Sequence, residues 1–212
     1  MTQGKLQGKR VLITQSNDYM GPATIKLFSE QGAQVIADVR DLSEPGAAEA
    51  LVKETGHIDI LVANLAAPAH PGVMAIDVDD SIWNTMFDYM VHPLHRLCRA
   101  VLPQMYERKV GKIVLYGSAS GLKAMKGVSA YCTARAAQVG YVRAVGLEAA
   151  RHNVQINLIA QNFVENPVYY SEEFTKTDAF KKMLKQVPIG RLDSIVPGFV
   201  NPPPLSARKW SR

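Results

Sequence analysis

The sequence predicts an α/β protein built on a doubly wound parallel sheet of about five strands, with helices on both faces and right-handed crossovers. Three observations lead there. Five short apolar runs alternate with helical segments along the chain. The second and third runs are separated by about twenty residues, room for one crossover helix and no additional strand. The 212 residues, 47% apolar and 20% charged, suffice for one well-buried domain, and no internal repeat or second core is visible.

The first apolar run, residues 10–14, stops at a polar loop and then at Gly21-Pro22; Ala23, Ile25, Leu27 and Phe28 then mark a helix ending at Gly32. Residues 34–38 are the second strand. A short helix over 46–54 leads to the third strand, 58–62, and a loop rich in Ala and Pro follows over 63–72. The long helical region from Asp80 to Arg108 is expected to break or kink at Pro93. Strand four (112–116), a helix (129–151) and strand five (154–160) complete the alternation. The catalytic domain is therefore expected over 1–192, followed by an atypical Pro-rich tail over 193–212. Pro202, Pro203 and Pro204 in a row fit neither a helix nor a strand interior.

Composition excludes several function classes. The chain has no run of eighteen apolar residues to cross a membrane, and its start lacks the charged region and apolar core of a secretion leader, so a cytoplasmic location is expected. The formal charge of +5 is scattered rather than gathered in a stripe, which argues against nucleic acid or a membrane surface as partner; the dense basic run 208–212 reads as a solvated tail. Two cysteines, Cys98 and Cys132, do not make a disulfide framework. His92 and His95 have metal-ligand spacing, but Pro93 lies between them and no third ligand is near, so no metal is expected.

The chemistry is concentrated in residues 117–138. Tyr131 and Arg135 are four apart on a helix, so their side chains share one face, and a guanidinium that never loses its charge favours the phenolate of a neighbouring tyrosine. Tyr131 then becomes a candidate base near neutral pH. Ser118 follows strand four, at the carboxyl end of the sheet, where its hydroxyl can orient a substrate oxygen. Cys132 is one residue from Tyr131 and points about 100° away on the helix, which sets it aside as a nucleophile. Gly117-Ser-Ala-Ser-Gly121 has alanine where a hydrolase elbow needs its serine.

Serine, twelve residues, tyrosine, three residues and arginine resembles the Ser-Tyr-Lys site of the short-chain dehydrogenase/reductase superfamily, with Arg135 where the lysine belongs. Members that bind NAD(P) open their first βα turn with Thr-Gly-x-x-x-Gly-x-Gly; this chain reads Thr14-Gln-Ser-Asn-Asp-Tyr-Met-Gly21, so Gln15 and Tyr19 replace two of the three glycines. Asp38, ending strand two, is of the kind that binds a ribose hydroxyl and equally of the kind that caps a loop. The two patterns in register resemble the halohydrin (haloalcohol) dehalogenases, cofactor-independent relatives with the same Rossmann-like sheet, over about residues 5–192. Asp59-Ile-Leu-Val-Ala-Asn64, Val91-His-Pro-Leu-His95 and the run 160–170 belong to the resemblance.

That resemblance implies a halide pocket lined by Tyr19, Asn162, Phe163, Val164 and Tyr170, catalysis by Ser118, Tyr131 and Arg135, haloalcohols or epoxides as substrates, and no cofactor. It also implies a homo-oligomer. In that family a tetramer forms through the long helices and through a last helix and strand; the second pair is not recognisable after Leu192, so a dimer through helices 80–108 and 129–151 is expected, with strand five as an open edge. Two other readings stay open: an NAD(P)-dependent oxidoreductase with an altered phosphate loop, and a dehydrogenase-like scaffold that only binds a partner.

Overall fold

In the computed structural model, residues 4–166 and 170–193 are described, and they fall into two compact units that divide between Gln161 and Asn162. The first unit contains β1 (Arg10–Ile13), α1 (Gly21–Glu30), β2 (Gln34–Ala37), α2 (Ala47–Thr55), β3 (Ile60–Ala63), α3 (Asp80–Met90), α4 (His92–Arg108), β4 (Gly111–Tyr116), α5 (Ser129–Ala150) and β5 (Val154–Ile159). The sheet has five strands in the order β2-β1-β3-β4-β5, and every pairing is parallel. The expected α/β, doubly wound, Rossmann-like architecture is thus present. Because the connections leave β1 in opposite directions toward β2 and β3, a crevice opens at the carboxyl ends of β1 and β3, the place where such sheets bind ligands.

The central strands read as continuous apolar runs because helices cover both of their faces. All four residues of β3 are buried, and Leu12, Leu61, Ile113 and Leu115 have no exposed surface. Each fully buried leucine contributes roughly 1.5–3 kcal/mol through removal of its side chain from water. From the helices, Leu94, Leu97, Val101 and Met105 of α4 complete the same core. Met86 and Met90 of α3 pack with Ala67, Ala130 and Ala134 in a separate cluster against α5.

One expectation needs correction here. The helix break expected at Pro93 falls at Val91, and Pro93 lies in the first turn of α4. A proline ring collides with the carbonyl four residues earlier, so the chain must leave the helix before Pro93; in a first turn its missing N–H costs nothing. The expected dimer contact through helices 80–108 and 129–151 draws on their apolar residues, of which Tyr89 and Leu147 are exposed. Met86, Met90, Leu94, Leu97 and Val101 are all fully buried within the single chain. Between α4 and α5 His95 lies edge-on to Tyr141 at 5.9 Å, and just beyond α5 His152 stacks on Tyr106 at 4.0 Å.

The second unit holds α6 (Glu172–Thr175) and α7 (Asp178–Leu184), each started by a side-chain cap, Ser171 onto Phe174 N–H and Thr177 onto Phe180 N–H. Tyr170 and Phe174 pack their rings against Phe180. Val164 and Asp193 form an isolated parallel bridge. The rest of the expected Pro-rich tail, and with it any final strand, lies outside the described residues; among these, β5 is an edge of the sheet.

Burial leaves three acidic groups protonated in the fold. It pushes the Cys98 thiol up to about 12 and raises the Tyr116 phenol, against a lowering hydrogen bond from Thr24; Tyr141 is raised by burial and then by the neighbouring Cys98. The folded chain therefore holds these protons more tightly than the unfolded chain, whose thiol titrates near 9.0. Their contribution to stability is complete below that pH and is lost as pH rises through the raised values. The urea midpoint should accordingly fall steadily above about pH 9, and a thiol reagent at about pH 8 should label half-exposed Cys132 while sparing Cys98 until denaturant is added. A flat alkaline profile, or equal labelling of both thiols, would contradict this burial.

Candidate active site

Two loops at the carboxyl ends of β1 and β4 carry the candidate residues, with the chain after β3 bonded to the first. The first, residues 14–20, is held by Asn64. Its Nδ2 donates to the carbonyls of Gln15 (2.8 Å) and Asp18 (2.9 Å), while its own N–H donates to Thr14 Oγ1 (3.1 Å). Asn64 is 1% exposed, so each of these groups has been withdrawn from water and needs its partner. Gln15 reaches across the crevice and pairs its amide with the backbone of Ala66: Oε1 accepts from Ala66 N–H at 2.8 Å and Nε2 donates to Ala66 O at 3.2 Å.

Gln15 has φ 42° and Tyr19 φ 49°, both in the left-handed region that ordinarily selects glycine. The turn thus retains a glycine-type backbone path at the two positions that carry side chains. Each costs roughly 1–2 kcal/mol in backbone strain, offset at Gln15 by its two bonds to Ala66. Gly21 is a different case, since a Cβ there would collide with the Ser16 carbonyl. Asp38 caps its own loop: its carboxylate accepts from Arg40 N–H (3.1 Å) and Arg40 Nε (2.8 Å).

The second loop carries Ser118 out of β4 in extended backbone and into a single 3-10 turn, residues 119–121. Ser118 Oγ accepts two hydrogen bonds from Ser120, one from its N–H (3.2 Å) and one from its Oγ–H (2.9 Å). With both lone pairs engaged, the Ser118 hydroxyl proton is directed outward as a donor. The turn presses on α5. A Cβ on Gly121 would lie 2.7 Å from the backbone carbonyl of Arg135, so only glycine allows this approach.

On α5, Tyr131 is half-buried and Arg135 is 5% exposed, with the guanidinium carbon 5.1 Å from the centre of the Tyr131 ring. A cation against an aromatic face is attracted by the ring's electron density. Arg135 Nη1 donates to the carbonyls of Leu65 (3.0 Å) and Tyr116 (3.1 Å) and to Gln138 Oε1 (2.9 Å). The charge is thereby anchored to the chain just beyond β3, to β4 and to α5. A small apolar recess beside Tyr131 is lined by Val73, Val78, Ile82, Met86 and Val128. A larger groove between α5 and β5, lined by Val139, Val142, Leu147 and Ile156 among others, contains none of the three catalytic candidates.

Residues 5–178 match the family described as short chain dehydrogenase. The chain belongs to that family. Among its short-chain dehydrogenase relatives is "Oxidoreductase UcpA" of Escherichia coli strain K12, 30% identical over 89% of this chain and 84% of that one. "3-oxoacyl-(acyl-carrier-protein) reductase FabG" of Vibrio harveyi is 29% identical over 88% and 85%. A solved structure described as "Dehalogenation enzyme" superposes with a TM-score of 0.79 at 29% identity, covering 89% of this chain and 86% of that chain. The chain is thus an enzyme of the short-chain dehydrogenase superfamily, and the two named relatives are a reductase and an oxidoreductase by description.

The residues present do not fit the dinucleotide that the family implies. Side chains stand at two of the phosphate-loop glycines, the Asp38 carboxylate is bonded to Arg40, and Nη1 of Arg135 is engaged with three protein acceptors. Ser118, Tyr131, Arg135 and Tyr19 all lie in the first unit; Asn162, Phe163, Val164 and Tyr170 lie in the second. There Phe163 has φ 52° and its carbonyl accepts from Asp193 N–H at 2.8 Å. Among the described residues no group of three or more His, Cys, Asp or Glu could hold a metal, and no helix is long and apolar enough to cross a membrane. Sequence reasoning missed Ser120, Asn64 and Gln138 as site residues. A second serine two places after Ser118 is the signal of a serine turn; nothing local marks the other two.

Replacing Asn64 by alanine would leave the Gln15 and Asp18 carbonyls without their donor and should cost about 1–3 kcal/mol in urea unfolding. A loss below about 0.5 kcal/mol would mean that water replaces the amide and that the turn is held elsewhere.

Proposed function

We propose that this enzyme converts vicinal haloalcohols into epoxides with release of halide, without a nicotinamide cofactor, and in reverse opens epoxides with halide or another small anion. The observation that carries the reading is the first βα turn, where Gln15 and Tyr19 occupy left-handed positions and Gln15 is bonded into the crevice. The likeness to a solved dehalogenation enzyme supports it.

The residues supply each step. Ser118, its lone pairs taken by Ser120, donates to the substrate hydroxyl oxygen and fixes its position. Tyr131 is the base that takes the hydroxyl proton; Arg135 sets a permanent positive charge 5.1 Å from the centre of its ring. The alkoxide attacks the neighbouring carbon from behind, the C–O bond forms as the C–halogen bond breaks, and halide leaves with the electron pair. In this proposal the residues assigned to halide by the family resemblance are Tyr19 in the first unit and, in the second, Asn162, Phe163, Val164 and Tyr170; backbone N–H groups and positive ring edges suit a large, weakly hydrated anion. The expected assembly is a homodimer through α4 and α5, supported by the aromatic pairs His95–Tyr141 between them and Tyr106–His152 just beyond α5.

The descriptions of the relatives favour a second reading, an NAD(P)-dependent oxidoreductase. Two measurements separate them. Halide release from chloro- and bromo-alcohols should exceed that of Tyr131→Phe by about a hundredfold or more, as expected for loss of a general base. Calorimetry with NADH and NADPH at about millimolar concentration should give no saturable heat. Absent halide release together with micromolar dinucleotide binding would return the protein to the oxidoreductases. Assembly is tested by analytical ultracentrifugation at micromolar protein: a dimer is expected, and a monomer would remove α4 and α5 as an interface.

A further inference from the structure

We infer that Gln138 is the positioning residue that fixes the rotation of the Arg135 guanidinium over Tyr131. The inference deepens the reading above and rests on Tyr131 being the base of the reaction. Gln138 is 0% exposed, one turn along α5 from Arg135, and is joined to groups on two elements. Its Oε1 accepts from Arg135 Nη1 at 2.9 Å, and its Nε2 donates to the Met90 carbonyl at 2.8 Å. Both partners are single-minded: a guanidinium only donates and a carbonyl only accepts, so the amide has one orientation and cannot flip.

The Met90 carbonyl is available because of the break between α3 and α4. Pro93 ends regular helix before it, α3 stops at Met90, and the last carbonyl of a helix has no partner within it. Gln138 fills that vacancy and so carries the fixed position of the α3 terminus to the cation. Of the three acceptors on Nη1, Gln138 alone ties the cation to the α3 terminus. Leu65 and Tyr116 carbonyls receive the same Nη1, and the buried Nε has no hydrogen-bond partner among the described residues. Gln138 is the one side chain on that nitrogen, and it lies on the same helix as Tyr131. The sequence carries all of the parts (Pro93, Gln138 and Arg135), yet they are 42 or more positions apart along the chain for the proline and only converge in the fold.

The test uses side-chain NMR of the full chain labelled with nitrogen-15 arginine, together with kcat and KM for a bromoalcohol. A guanidinium held at Nη1 by Gln138 rotates slowly, so Arg135 should show resolved Nη signals in the wild type. Gln138→Met, which keeps length and removes the acceptor, should average them and lower kcat by about tenfold with KM within about twofold. Gln138→Glu, which keeps the acceptor, should retain resolved signals. Val145→Ala, a core change on the same helix, should lower the urea midpoint without lowering kcat. Averaged signals already in the wild type, resolved signals in Gln138→Met, averaged signals in Gln138→Glu, or an equal kcat loss in Val145→Ala would each overturn the inference. Because the NMR arm needs no turnover, a wild type that releases no halide would sink the dehalogenase reading while leaving the Gln138–Arg135 link decided by the signals.

Discussion

A permanently charged guanidinium, almost entirely out of water, sits where β3, β4 and α5 meet, and three acceptors converge on its Nη1. Withdrawing such a charge costs several kcal/mol unless acceptors replace its hydration. Arg135 finds them in the Leu65 and Tyr116 carbonyls and in Gln138. Each acceptor fixes something else in turn. The Tyr116 carbonyl lies two residues before Ser118, so the strand end that launches the serine loop is tied to the helix that carries the tyrosine. Gly121 lets the loop's turn come into backbone contact with that same helix at Arg135. The relation between Ser118 and Tyr131 is therefore set by buried contacts on both sides rather than by the loop's own preferences.

The first βα turn is over-determined in a comparable way. A left-handed backbone at Gln15 and Tyr19 would relax if the turn were free, and the Asn64 amide prevents this by holding the carbonyls of Gln15 and Asp18. Asn64 can do so because it follows β3, the neighbour of β1 across the switch point of the sheet. Strain at a turn persists only where the surroundings impose it, and such places are where function concentrates. Here the imposed conformation brings the Gln15 amide onto Ala66 at the crevice that the sheet topology reserves for ligands.

The sheet was legible because a buried parallel strand needs a continuous apolar run and the chain supplies five of them at crossover spacing. Ser118, Tyr131 and Arg135 were legible because their spacing places two of them on one helix face and the third at a strand end. What periodicity could not separate was an apolar residue facing the chain's own core from one facing a partner: Met86, Met90 and Leu94 satisfy either reading, and the packing of α3 and α4 against α5 and the sheet uses all three. Partners distant in sequence were equally hidden. Nothing near Gln138 announces the Met90 carbonyl, and nothing near Asn64 announces Gln15, because these bonds exist only once the crossovers have brought their elements together.

The fold itself does not choose between dehydrogenase and dehalogenase, since the same sheet serves both. The choice rests on two departures that bear on different parts of a dinucleotide site. By the family resemblance, the glycine turn closes on the pyrophosphate and the lysine holds the nicotinamide ribose. A side chain in the turn alone might swing aside, but Gln15 is bonded at both ends of its amide. The arginine in place of lysine has its Nη1 engaged with three protein acceptors. Freeing either group for a cofactor would strand buried polar partners at about 1–3 kcal/mol each. The two sets of bonds thus work in the same direction. They engage Gln15 and Arg135 Nη1 within the protein, while Ser118 keeps a donor and the Arg135 cation lies against the Tyr131 ring, the arrangement on which the proposed proton removal from a bound alcohol draws.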